Sequence, residues 1–203
     1  MKAATGPARL GAAGVLGYLL GTFPSADIAT RLAGSGGDLR DEGSGNPGAL
    51  NAATALGRRW GLAVLAADMG KGAAAGGLGR ALAGDTGAYV AATASIGGHI
   101  APVWSGFRGG KGVATSAGAC LAVFPVYFPI DAAVAFATAA ASQQAERSIQ
   151  IASAAWTAAA IVWWRRSLPN AWGPAPSPAL AGFAAVSSVM ILAKFRAARR
   201  ATR

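Results

Sequence analysis

The chain has 203 residues, of which 53% are hydrophobic and 13% charged, with a positive mean hydropathy and a net charge of +10. A soluble domain carries about 25% charged residues, so this composition belongs to an integral membrane protein. A disulfide framework within the chain is excluded by its single Cys120, and the basic residues lack the aromatic interleaving of a nucleic-acid surface, so no nucleic-acid partner is expected.

Seven apolar segments follow one another, at 10–32, 61–83, 87–105, 112–124, 126–142, 148–164 and 178–195. Several are rich in Ala and Gly, which favours close helix packing. The fourth and fifth are short, separated by Pro125 and Pro129, and a single kinked span is the alternative. Charge decides between the two. With seven spans, eleven basic residues in the loops, tails and adjoining span ends fall on one side and five on the other; with six, the split is seven against nine. The positive-inside bias selects seven. The expectation is an all-α integral membrane protein, a single domain over 1–203 with seven transmembrane helices. Its N-terminus lies outside and its basic C-terminus in the cytoplasm, near anionic lipid.

Ionisable residues within spans are costly, so each needs a partner or a role. Asp27 and Arg31, four apart, read as a pair at the inner end of the first span, and Asp68 and Lys71, three apart, as a pair in the second. His99, in Gly98-His99-Ile100, is either a general base or a buried imidazole bonded to a neighbouring helix. Asp131 is expected at the outer surface without a partner. No cluster of metal-ligand type appears, and neither a metal nor a cofactor is expected.

Two glycine-rich stretches interrupt the apolar pattern. The first, Asp41-Glu42-Gly43-Ser44-Gly45-Asn46-Pro47-Gly48-Ala49-Leu50-Asn51, runs into a short helix that Asn46 caps, Pro47 opens and Gly57 closes. The second is Phe107-Arg108-Gly109-Gly110-Lys111-Gly112-Val113-Ala114-Thr115. It is not a nucleotide P-loop, because Ser105 stands where the first glycine is required and Gly112 where Ser or Thr is required. Both stretches precede a helix and both fall on the cytoplasmic side. A glycine-rich loop entering a helix offers backbone N–H groups and the positive end of the helix dipole to an anion. Ser44, Asn46, Asn51 and Thr115 can orient such an anion, and Arg108 and Lys111 can neutralise it. A site of this kind stabilises a departing phosphate without a covalent nucleophile.

On these residues the chain resembles the bacterial acyl-phosphate-dependent glycerol-3-phosphate acyltransferases, the PlsY family, over nearly its whole length. The matches are Gly43 to Asn51, Leu56-Gly57, Asp68 with Lys71-Gly72, Gly98-His99-Ile100 with Pro102-Val103, and Phe107 to Thr115. The resemblance implies a bacterial inner-membrane enzyme with its active site facing the cytoplasm and no metal or cofactor. It implies transfer of an acyl chain from acyl phosphate to glycerol 3-phosphate, giving lysophosphatidic acid and phosphate. Ser44 and Lys111 would be the catalytic residues, and Gly45, Asn46, Gly48, Asn51, Arg108, Gly109, Gly110, Gly112 and Thr115 would bind substrate. His99, Arg147 and Ser153 are further candidates. Beside Leu50, where the family usually has Thr, four positions depart from the family pattern: Thr54 replaces an Arg, Gln150 a Ser, Phe195 a His and Ala198 an Asn. All four belong to the acceptor side, so an acyltransferase with another acceptor, or a non-catalytic acyl-phosphate- or lipid-binding relative, is the alternative.

Overall fold

The computed structural model describes residues 6–133 and 145–201. Its helices are α1 (Pro7–Gly21), α2 (Ser25–Leu32), α3 (Ala49–Leu56), α4 (Arg58–Ile100), α5 (Val113–Val123), α6 (described over 128–133), α7 (Ala145–Arg166) and α8 (Pro178–Ala201). No strand occurs among the described residues. The first apolar segment is broken in two at Pro24, whose missing N–H and fixed φ end α1 before α2 begins. The second and third segments together form α4. Its backbone leaves helical geometry at Ala83 (φ −139°, ψ 23°) and Gly84 (φ 66°, ψ −162°), where the sequence pattern puts a loop.

At that break the chain folds back, and the two arms of α4 pack along each other, with Gly79 against Gly87 and Ala91. Helix α1 runs parallel to the second arm. Gly17 lies on the backbone of Ala91 and Gly21 on that of Ser95, and a Cβ at either glycine would overlap those atoms. Helix α5 runs parallel to the first arm, with Gly72 on the carbonyl of Thr115 and Gly118 on that of Met69. Helix α8 runs parallel to the second arm, with Met190 beside Gly97 and Lys194 Nζ 3.5 Å from the Ile100 carbonyl. Small residues thus bring the backbones of these helices together.

A second layer of packing is aromatic. Phe124 stacks on Tyr127 at 5.3 Å, and Trp156 meets Phe183 at 5.7 Å, joining α5, α6, α7 and α8 around buried Leu180 and Ile96. Within the described residues, Pro178–Ala198 of α8 is the helix long and apolar enough to cross a membrane on length and composition alone. Helix α5, at 11 residues, is shorter than a bilayer core of about 30 Å requires, and it ends at Phe124 before Pro125.

Candidate active site

The buried polar centre lies where α2 meets the two arms of α4. Three groups converge on one Asp68 carboxylate oxygen: the Ser25 hydroxyl donates at 2.5 Å, Lys71 Nζ sits at 2.9 Å and His99 Nδ1 at 3.6 Å. Lys71 also donates to the Phe23 carbonyl at 3.1 Å, freed by the break at Pro24. The expected Asp68–Lys71 pair is therefore present, and Ser25 and His99 extend it across α2 and both arms of α4. Asp68 is 1% exposed, so its charge needs all of these partners.

The first glycine-rich stretch is folded around Asn51. Its Oδ1 accepts from the Ser44 N–H at 3.1 Å, and its Nδ2 donates to the carbonyls of Leu39 at 2.8 Å and Glu42 at 3.0 Å. Asn51 is buried, and these bonds tie its amide to the loop backbone. The chain turns at Gly43 (φ 55°) and Gly45 (φ 64°), conformations that glycine adopts without a Cβ penalty. The helix starts later than the sequence suggests. Gly48, extended at ψ 173°, is the N-cap of α3 and its N–H is held by the Asn46 carbonyl at 2.7 Å, so Asn46 does not cap and Pro47 lies outside the helix. Gly57, at φ 97°, closes α3 as expected. Ser44 and Gly45 are exposed at the loop tip, with Asn46 half-buried behind them.

The second stretch is latched to the end of α4. The N–H groups of Gly109 and Gly110 donate to the carbonyls of Ile100 at 3.2 Å and His99 at 3.1 Å. A Cβ at Gly110 would overlap the His99 imidazole, which connects this loop to the Asp68 centre. The two glycines therefore serve a close approach to His99, and their amides are engaged within the chain. Gly112, at φ 85°, is the N-cap of α5, and Thr115 in the first turn is fully buried with no partner for its hydroxyl.

Arg40 joins the two stretches. Its Nη1 lies 2.6 Å from Asp27 and 3.0 Å from Asp38, and its Nε donates to the Arg108 carbonyl at 2.7 Å. Burial draws the Asp38 carboxyl upward, but the Arg40 backbone N–H and guanidinium outweigh it and hold the group below its ordinary value. This corrects the expected pairing: Asp27 binds Arg40, thirteen residues on, and not Arg31. Helix spacing alone pointed to Arg31. The sequence signal for Arg40 was Asp38-Leu39-Arg40 directly ahead of the glycines, a charged pair at the mouth of a loop.

Lys111 is half-buried, with its ammonium 4.6 Å from the centroid of the Phe195 ring on α8. Arg108 is more exposed and lies 3.6 Å from Asp41, a surface pair of small weight. A cavity of about 210 Å³ opens behind both stretches, lined by Pro47, Gly109 and Gly110 together with Arg31, Arg40, Lys71 and His99. Ser44 and Lys111 are not part of its wall. This cavity is thus the back of the loop pair.

Ser153 lies elsewhere. It lines a second cavity of about 50 Å³ between α5, α6, α7 and α8, with Ser116, Asp131, Ser187 and Ser188. Asp131 is accordingly half-buried in the bundle beside serines, where the sequence pattern put it at the outer surface. The chain reverses at Phe124-Pro125 and carries Asp131 back along α5. Arg147 falls in the first turns of α7, and its side chain lies outside the described residues. The Thr54 hydroxyl donates to the Leu50 carbonyl of its own helix at 3.1 Å.

Comparison with known proteins gives a consistent result. A family profile described as glycerol-3-phosphate acyltransferase matches residues 12–202. A glycerol-3-phosphate acyltransferase of Cereibacter sphaeroides is 45% identical over 153 residues, covering 74% of this chain and 69% of the relative. One from Rhizobium etli is 42% identical over 141 residues, covering 70% and 68%. Another Cereibacter sphaeroides relative is 52% identical over 110 residues, and that match spans 54% of its length. The crystal structure of PlsY (YgiH), an integral membrane glycerol 3-phosphate acyltransferase, superposes in its glycerol 3-phosphate form with a TM-score of 0.77 at 27% identity, covering 93% of this chain and 88% of that one. Its lysophosphatidic acid form gives 0.75 at 26% identity with the same coverage. An all-helical chain with two glycine-rich loops clamped at one end, matched over nearly its whole length by that profile, belongs to the glycerol-3-phosphate acyltransferase family.

Proposed function

We propose that the protein transfers an acyl chain from acyl phosphate to glycerol 3-phosphate. The acceptor 1-hydroxyl oxygen attacks the acyl carbonyl carbon, and the bond from that carbon to the bridging phosphate oxygen breaks. Phosphate leaves with the electron pair, and the hydroxyl proton passes to a phosphate oxygen. The products are lysophosphatidic acid and inorganic phosphate. Ser44 and the loop around it hold the donor phosphate, and Lys111 stabilises the charge that grows on it as it leaves. Apolar helices hold the acyl chain so that its carbonyl meets the hydroxyl, which replaces encounter by orientation.

The observation that carries this reading is Arg40. One guanidinium ties the stretch at Ser44 to the stretch at Lys111, 67 positions further along, at one end of the bundle. The proposed site faces the cytoplasm of a bacterial inner-membrane protein, with seven spans in one domain, an external N-terminus and a cytoplasmic C-terminus. The parallel courses of α1, α8 and the second arm of α4 support that count. Three crossings between the second arm and α8 keep them parallel, and two would not.

The test is an assay of the full chain in lipid with palmitoyl phosphate and labelled glycerol 3-phosphate, following phosphate and labelled lipid separately. Lysophosphatidic acid formed in step with phosphate is the expected result. Phosphate released without labelled lipid would replace the acceptor, in line with the four departures at Thr54, Gln150, Phe195 and Ala198. No phosphate release with donor bound would overturn the catalytic reading.

A further inference from the structure

Lys111 differs from Arg40, Lys71 and Arg108 in what holds it. Arg40 is paired with Asp27 and Asp38, Lys71 with Asp68, and Arg108 with Asp41. Among the described residues no carboxylate pairs with Lys111; its ammonium lies over the ring of Phe195 at 4.6 Å. The π face of an aromatic ring attracts a cation through its quadrupole and leaves the charge whole, whereas a carboxylate would neutralise it. The ring itself is fixed. Phe195 packs on the aromatic and aliphatic core of the bundle together with Ile100, and the adjacent Lys194 bonds the Ile100 carbonyl at the end of α4.

We infer that Phe195 is a positioning residue for the transfer reaction: its ring holds the Lys111 ammonium, charged and unneutralised, at the second glycine-rich stretch, where it receives a substrate phosphate. The inference rests on the acyltransferase reading above and adds to it a role for α8. Burial lowers the Lys111 pKa, and a π face offsets part of that loss of hydration without supplying an anion. The ligand recognised is a phosphate group, carried by either the donor or the acceptor.

The experiment compares wild type, Phe195→Leu, Phe195→Tyr, Lys111→Ala and the double variant Lys111→Ala/Phe195→Leu, each as full chain in lipid. Binding of palmitoyl phosphate and of glycerol 3-phosphate is measured separately, alongside kcat and KM. Phe195→Leu keeps an apolar side chain and removes the π face, so affinity for one of the two phosphates should fall about fivefold to tenfold. Phe195→Tyr should restore it to within about twofold, and Phe195→Leu should add nothing in the Lys111→Ala background. The arm that changes identifies whose phosphate Lys111 holds. Wild-type affinity for both ligands in Phe195→Leu overturns the inference, as does equal loss in the Leu and Tyr variants or full additivity with Lys111→Ala. Unchanged binding and turnover in Lys111→Ala alone would instead remove the underlying assignment of Lys111, so the two failures are distinct.

Discussion

Removal of the Arg40 side chain tests whether the two loops work as one unit. The guanidinium is 10% exposed, and its partner carboxylates at Asp27 and Asp38 are 31% and 44% exposed. Breaking a fully buried ion pair costs about 3–5 kcal/mol and an exposed one at most about 1 kcal/mol. Asp27 falls between these limits, at about 2 kcal/mol, and solvent reduces the Asp38 contribution to a few tenths. The bond to the Arg108 carbonyl adds about 1 kcal/mol. The total of about 3 kcal/mol corresponds to roughly a hundredfold shift from joined to separated loops. Arg40→Ala should therefore lower kcat/KM up to about a hundredfold in lipid, with helical content unchanged, because the contacts of α1 and α5 with α4 do not involve it. Arg40→Lys should fall between the two, since an ammonium cannot reproduce the fork that meets Asp27 and the Arg108 carbonyl together. Activity of Arg40→Ala within twofold of wild type would refute the idea that this guanidinium holds the site together.

Other consequences can be measured in the same preparation. Asn51→Ala removes the bonds to Ser44, Leu39 and Glu42 and should reduce turnover at least tenfold; Asn51→Asp should be no better, because its carboxylate faces the two carbonyls that Nδ2 now serves. Gly118→Ala places a methyl group on the Met69 carbonyl, so a fall of several degrees in thermal midpoint is expected from the separation of α4 and α5, read by thermal unfolding in detergent. The Asp38 carboxyl is held below its ordinary value, so its contribution to stability is complete above about pH 4, the unfolded value, and is lost as pH falls through the lower folded value. A loss of stability below about pH 4 is expected from this group, and Asp38→Asn should remove part of that acid limb. Lys111 must be charged to hold phosphate and its pKa is lowered by burial, so glycerol 3-phosphate affinity should decline with rising pH at values below the ordinary 10.5 if that phosphate is the one it holds.

Local patterns revealed the elements and the polar centre, and long-range contacts were beyond them. The apolar segments predicted the two arms of α4 and the break between them, because Ala83-Gly84 ends one helical pattern before another begins. Asp68 and Lys71 were legible because residues three apart share a helix face. Asp27 misled for the same reason: Arg31 has the right spacing, but Pro24 ends α1 and turns α2, and the carboxylate meets Arg40 across the loop. The glycines of the second stretch read as an anion cradle, whereas Gly109 and Gly110 are needed for contact with His99, 10 and 11 positions earlier. Ser153 is a candidate by motif alone, and the packing of α7 on α8 places it at a different cavity from the one behind the loops. The ring behind Lys111 belongs to α8, and no pattern around Phe195 announces a cation that lies 84 positions away.

The most direct measurement of the central claim is lysophosphatidic acid formation by wild type, Ser44→Ala and Lys111→Ala in one lipid preparation, with insertion of each verified. The account predicts product from wild type and loss of turnover in both variants, one from each glycine-rich stretch. Unimpaired turnover in both would contradict a site built from these two loops.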